Sequence, residues 1–158
     1  MSQTTATMMV DPERSRTMRA VKSRDTAPEM TVRRLIFSMG YRYRLHRKDL
    51  PGKPDLVFST RRKVIFVHGC FWHGHDCQRG ARVPKNNREY WERKIARNRE
   101  RDSQHYADLE RGGWTVLTLW ECQIRETDVC AERIQEFLET DIDLKGWKNL
   151  QRHSLTGP

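Results

Sequence analysis

Between Cys70 and Cys77 the chain places two thiols and two imidazoles within eight residues, Cys70-Phe-Trp-His73-Gly-His75-Asp-Cys77. A third thiol, Cys122, follows directly on an apolar run, Trp114 to Trp120, that reads as a strand able to pack beside this loop. Cys70, His75, Cys77 and Cys122 together make a Cys3His set, the ligand chemistry of a closed tetrahedral zinc site. The metal would stabilise a stretch that has few apolar side chains to hold it. Unrelated buried thiols and surface histidines are the alternative. His73 in place of His75, and Cys130 as the fourth ligand, are also open, although Cys130 sits on an amphipathic helix as a small core residue would. No apolar signal core stands in MSQTTATMMVDPERSR, and no run approaches the roughly 18 apolar residues of a membrane span. The expected place is the cytoplasm, where disulfides are disfavoured and clustered cysteines point to metal.

The rest of the chain alternates between helical and strand periods. Residues 1–10 have no periodicity and are expected to be a disordered tail. Asp11-Pro12-Glu13 reads as a helix start, and the helix it opens carries Arg14, Arg16, Arg19, Lys22 and Arg24. Thr26 with Glu29 fits a capping box for a second helix, with Val32, Leu35, Ile36 and Met39 at helical spacing and Gly40 as its stop. Tyr41–Leu45, Pro54–Phe58 and Val64–Val67 read as strands, and residues 69–87 as a long loop. A helix over Arg88–Arg111, the strand Trp114–Trp120 and a short helix Ala131–Leu138 follow. The order α-α-β-β-β-α-β-α implies an α/β fold, a central mixed sheet flanked by helices. One domain is expected over 11–140, with a tail over 141–158.

Thirty Lys+Arg against twenty-one Asp+Glu leave a net charge of +9, and the first helix is too cationic to be ordinary core. A surface of this sign attracts polyanions, among which nucleic acid is the commonest soluble one; a merely soluble basic surface is the alternative.

Asp55 leads into an apolar strand after the stiff turn Pro51-Gly52-Lys53-Pro54. The second strand of the hairpin ends at Val67-His68-Gly69, so Asp55 and His68 are expected to face one another. A carboxylate there can hold Mg²⁺, a hard cation that prefers oxygen, with a strand-end backbone carbonyl adding a second oxygen. A neighbouring histidine can serve as general base near neutral pH. Taken locally, Asp55 is more readily a turn residue, and a lone His68 at a strand end is more often structural than catalytic.

These motifs together resemble one family, the very-short-patch repair (Vsr) DNA mismatch endonucleases. The resemblance runs from about residue 11 to 138. It is carried by Arg14-Ser15 through Met18-Arg19-Ala20, Arg24-Asp25-Thr26-Ala27 with Glu29, and Leu50-Pro51-Gly52-Lys53-Pro54-Asp55. It continues in Val64 through His73, Tyr90 through Ile95, Asn98 with Glu100-Arg101-Asp102, and Gly113-Trp114 through Cys122. The resemblance implies a restriction-endonuclease-like fold and a nick 5′ to the thymine of a T:G mismatch left by deaminated 5-methylcytosine. It implies Asp55 as the magnesium carboxylate, the Val67 carbonyl as a further ligand, and His73 as general base assisted by His68 and Glu29. Cys70, His75, Cys77 and Cys122 would bind structural zinc. Phe71, Trp72 and Trp91 would wedge beside the mismatch, and Met18 would insert from the minor groove. Arg19 would add phosphate affinity, and Lys94 and Asn98 would hold backbone phosphate. The acidic-x-Lys pair of most restriction enzymes is replaced by Phe66-Val67-His68, as in this family. Partners implied are mismatched double-stranded DNA and mismatch-repair proteins; a monomer is expected, since one mismatch needs one asymmetric nick. The rival readings are a same-fold nickase with another target and a zinc-stapled module that binds distorted DNA without cutting it.

Overall fold

The computed structural model describes residues 24–140. The expected N-terminal helix with Met18 and Arg19, and both tails, lie outside the described residues apart from Arg24. The first described helix, α1 (Ala27–Ser38), starts where its caps dictate. The Glu29 N–H donates to Thr26 Oγ1 at 3.4 Å, and the Glu29 carboxylate accepts from the Asp25 N–H at 2.9 Å. One donor that the helix start would leave unpaired is thereby satisfied, and the N–H of the residue ahead of the cap is tied to the same carboxylate.

Strands β1 (Leu56–Phe58) and β2 (Lys63–His68) form an antiparallel hairpin in the register Leu56↔Ile65. β2 then pairs in parallel with β3 (Thr115–Trp120), from Lys63↔Thr115 to His68↔Trp120. A parallel pair cannot be closed by a tight turn. Here the crossover is the Cys/His loop followed by α2 (Arg88–Arg111). The short α3 (Glu121–Ile124) and then α4 (Thr127–Glu139) complete the described chain.

The alternation of side chains along each strand fills two cores. On one face Leu56, Phe58, Ile65, Val67, Leu117 and Leu119 pack with Val32 and Ile36 of α1, Ile124 of α3, and Cys130, Ile134 and Leu138 of α4. On the other, Val57, Val64 and Phe66 pack with Leu109 of α2, Leu50 and Trp114. β2 is covered on both faces, so all six of its residues are buried, even Lys63. The Lys63 ammonium survives burial by donating to the carbonyls of Leu138 and Thr140 at the end of α4, where the helix exposes unpaired acceptors.

The mixed α/β sheet with flanking helices agrees with the sequence expectation, with three differences. Tyr41–Leu45 is not a strand: Arg44 alone bridges Val57, exchanging both backbone bonds at 2.9 Å, and His46 with φ of 53° turns the chain away. The last helix begins at Thr127 rather than Ala131, and α3 was not expected. Among the described residues no helix is long and apolar enough to cross a membrane.

Candidate active site

A cleft of about 1010 Å³ opens where the C-terminal end of β2 meets α2. Asp55, His68, His73 and Glu29 all line it, together with cationic side chains that include Arg24, Lys48, Lys53, Lys94 and Arg101. The sheet register explains what Asp55 does there. Val57 spends its backbone N–H and C=O on Arg44, so Leu56 and Phe58 turn theirs toward β2. Extending that register by one step of the ladder sets Pro54 opposite Val67. Proline has no N–H to donate, so the Val67 carbonyl loses its ladder donor. The Val67 N–H turns to the side chain of Asp55, donating to Oδ2 at 2.7 Å. In an extended strand a residue's N–H and C=O project to the same edge, so Val67 offers its carbonyl on the side where Asp55 stands.

The environment of Asp55 is costly for a lone carboxylate. Burial, with a smaller push from Glu29, drives its pKa up to about 6 against the opposing pull of the Val67 N–H. A carboxylate with one protein donor and a carbonyl oxygen without its ladder donor, both lining the cleft, fit a hard divalent cation. Glu29 is held by its own helix cap and by Arg33, whose Nη2 stands 3.1 Å from its Oε2. Its influence on Asp55 is therefore one of charge.

Beside Asp55 two imidazoles are stacked, His68 on His73, with centroids 3.7 Å apart and planes inclined by 9°. His73 Nδ1 lies 2.5 Å from Oδ2 of Asp102 on α2. A carboxylate only accepts, so His73 Nδ1 carries the proton of this contact and Asp102 fixes the orientation of the ring. Burial is the largest single influence on Asp102 and works to raise it, but the His73 hydrogen bond together with the charges of His73, His68 and Arg101 outweighs it, and the pKa falls below the ordinary value. His68 is driven down to about 3, first by burial and then by His73, and is neutral. His68, His73 and Asp102 have ligand atoms within 4.8 Å of one another.

The long loop is tied at its far side by a second cluster. Ligand atoms of Cys70, His75, Cys77 and Cys122 lie within 4.8 Å of one another, and Cys122 Sγ stands 3.5 Å from His75 Nδ1. Tetrahedral sulfur and nitrogen ligands of one zinc are roughly 3.6 Å apart. The donor set and its spacing fit a metal ion. Cys130 is 3% exposed in the core with α4 and takes no part. The Gly80 N–H, and then His75, bring the Cys77 thiol down to about 6, whereas burial pushes Cys70 up to about 12. His75 stacks on Trp120 at 4.3 Å, which turns Nδ1 toward the thiols.

The loop then lies on the first half of α2. A Cβ at Gly74 would stand 2.6 Å from Ile95 Cγ2, and its φ of +64° suits glycine. Asn98 Nδ2 donates to the Trp72 carbonyl at 2.8 Å, so the expected phosphate ligand spends a donor on anchoring the loop. Phe71, Trp72 and Trp91 meet edge to face at 5.1–6.1 Å, each partly exposed. The Lys94 ammonium stands 5.5–5.7 Å from the rings of Trp72, Trp91 and Tyr90. An aromatic platform capped by a cation thus flanks the cleft.

Sequence reasoning missed Asp102 and Tyr106 as members of this site. A signal existed: Asn98, Asp102 and Tyr106 recur at i, i+4 along the stripe that also holds Trp91, Ile95 and Leu109. Polar side chains at inward positions of such a stripe mark a helix that faces a site rather than a core.

The fold is shared with the catalytic domain of a homing endonuclease, which aligns with a TM-score of 0.51 and 20% identity over 75% of this chain and 99% of that one. Residues 7–79 match the family model for the DNA mismatch endonuclease Vsr. The type II nicking enzyme V.XorIIP of Xanthomonas oryzae pv. oryzae is 49% identical over 131 residues, 82% of this chain and 96% of that protein. The DNA mismatch endonuclease Vsr of Escherichia coli K12 is 41% identical over 130 residues, 79% and 83% of the two chains. The relatives are endonucleases, and the basic cleft of this chain holds a buried carboxylate beside an imidazole oriented by Asp102. The chain belongs to the Vsr family of DNA mismatch endonucleases.

Proposed function

We propose that the protein recognises a T:G mismatch in duplex DNA and hydrolyses the phosphodiester 5′ to the mismatched thymine, nicking one strand to open very-short-patch repair. The single observation that carries this reading is that Asp55 and the His73–Asp102 pair share one basic cleft flanked by the Phe71/Trp72/Trp91 platform. Asp55 and the Val67 carbonyl would hold Mg²⁺, which polarises the phosphate and stabilises the charge that develops on it. His73, with Nε2 free, takes the proton of the attacking water, and Asp102 holds the ring and supports its positive charge. Glu29 acts through its charge near Asp55. Zn²⁺ at Cys70, His75, Cys77 and Cys122 would keep the loop that carries His73 in place.

Selectivity follows from the cost of unstacking. Phe71, Trp72 and Trp91 present ring faces and edges to the duplex, and a mismatched step opens at lower cost than a matched one. Lys94 adds phosphate affinity from the rim of the cleft, with Met18 and Arg19 contributing from the N-terminal segment, so binding weakens as salt rises. The protein acts as a monomer in the cytoplasm, on DNA to which mismatch-repair proteins also have access.

The test is nicking of duplexes that differ only at one base pair. With Mg²⁺, T:G is expected to be cut on the T strand 5′ to the thymine, and T:A to be spared. Equal cutting of both would leave a nickase with another target, and binding without a nick would leave a recognition module. Asp102→Asn is expected to lower the single-turnover rate on T:G about 100-fold, because the ring loses the carboxylate that fixes its tautomer. Affinity for the duplex should stay unchanged in a gel-shift titration; a rate within twofold of wild type would remove Asp102 from the mechanism.

A further inference from the structure

Tyr106 lies on α2 one turn beyond Asp102, and its hydroxyl stands between two partners. Thr118 Oγ1 on β3 donates to Tyr106 Oη at 2.9 Å, and Tyr106 Oη lies 3.4 Å from His68 Nδ1. We infer that Tyr106 is a positioning residue that fixes which nitrogen of His68 carries the proton, and so divides the stacked imidazoles into a donor, His68, and an acceptor, His73. The inference rests on reading the cleft as the nicking centre.

The argument is one of hydrogen-bond polarity. A phenol has one proton, and with Thr118 donating to its oxygen that proton is free for His68. Nδ1 of His68 then accepts, and in a neutral ring the proton must sit on Nε2. For His73 the order is reversed, because Asp102 only accepts and takes the Nδ1 proton. Two rings in one stack therefore meet the cleft with opposite tautomers. Nε2–H of His68 donates to a phosphate oxygen, and the bare Nε2 of His73 takes a proton from water.

The phenol itself is held for this task. Its ring packs on Phe66 with centroids 5.3 Å apart and lies within 17° of the His68 plane. Burial pushes its pKa up to about 12, so the hydroxyl keeps its proton wherever the enzyme works. The 3.4 Å separation is long for this bond, as catalytic hydrogen bonds often are before substrate binds.

Long-range ¹H–¹⁵N spectra of the zinc-loaded, histidine-labelled full chain read the tautomers directly. His68 is assigned by its loss in the His68→Gln protein. Wild type is expected to show His68 protonated at Nε2 and His73 at Nδ1. Tyr106→Phe keeps the ring that packs on Phe66 and removes only the hydroxyl. It is expected to move His68 toward a mixture of tautomers and leave His73 unchanged. Its kcat on the mismatched duplex should fall about five- to tenfold, the loss of one net hydrogen bond, with KM for DNA unchanged. Thr118→Val should shift both readouts the same way by less, and Thr118→Ser should restore them. An unchanged His68 spectrum in Tyr106→Phe overturns the inference, even if kcat falls, and so does an unchanged kcat. The spectra need no DNA: a wild type that nicks nothing would sink the proposed function while the tautomers still decide the role of Tyr106.

Discussion

Asp55→Asn will abolish nicking and at the same time make the protein more stable above pH 6. The loss of rate is expected to be about 1000-fold, equivalent to roughly 4 kcal/mol of transition-state stabilisation, because the amide cannot hold the cation at the scissile phosphate. The gain in stability comes from the same environment. The Asp55 pKa in the folded protein is about 6, above the ordinary 3.8. Between these values the folded protein keeps a proton that the unfolded chain has released, so stability falls as pH rises through the window. Above pH 6 the full cost of an ionised Asp55 is present, on the order of 3 kcal/mol. Asparagine removes that charge and still accepts from the Val67 N–H. In magnesium-free buffer the D55N protein should therefore melt several degrees higher than wild type at pH 7.5 and equally at pH 4. Adding Mg²⁺ should narrow the gap by stabilising wild type alone. A variant that melts lower than wild type at pH 7.5 would mean that Asp55 is satisfied by its protein partners, and the cation would lose its reason to bind there.

Loss of the thiolate cluster should be the most damaging change to stability. Across residues 69–87 only Cys70 and Gly80 are buried, so hydrophobic burial does little to order this segment. Structural zinc contributes about 10–16 kcal/mol in small peptides, much of it spent on ordering the chain, and here too the metal would carry most of that cost. Cys122→Ala is expected to lose one equivalent of zinc by elemental analysis and to lower Tm by more than about 10 °C, a loss of several kcal/mol. Nicking should be lost with it, because the loop also delivers His73 to Asp102. Cys130→Ala is the matched control: a core thiol outside the cluster, costing a little stability and no metal. A C122A protein that keeps both its zinc and its melting point would end the structural role of the cluster. The pH dependence has a defined sign as well. Thiols must lose protons to bind, so zinc affinity should fall as pH drops, and most steeply below about 6, where Cys77 takes up its proton.

Much of this molecule is legible in local sequence because local interactions decide it. Thr26 and Glu29 close a helix start by themselves. The apolar run of β2 has no stable place except under cover on both faces. Four soft ligands, three of them within eight residues and the fourth at the end of an apolar strand, are brought together by very few degrees of freedom. Tyr41–Leu45 misled for the same reason. Its β-rich composition is real, but a strand needs a partner, and after Arg44 the chain turns away from β1.

What no local pattern could decide is which distant groups meet. Asp102 reaches His73 across 29 residues only because the crossover helix returns over the end of β2. Cys130 is parted from the other thiols because α4 turns it into the core. The Val67 carbonyl lacks a ladder donor because the hairpin register sets a proline opposite it. The sequence by itself determined the parts of the site, the Cys3His cluster, Asp55, the two stacked histidines and the aromatic platform, since each rests on residue chemistry and short-range spacing. Only the tertiary structure decided their pairing, because hydrogen-bond partners and proton positions follow from strand register and helix placement, which are long-range packing outcomes.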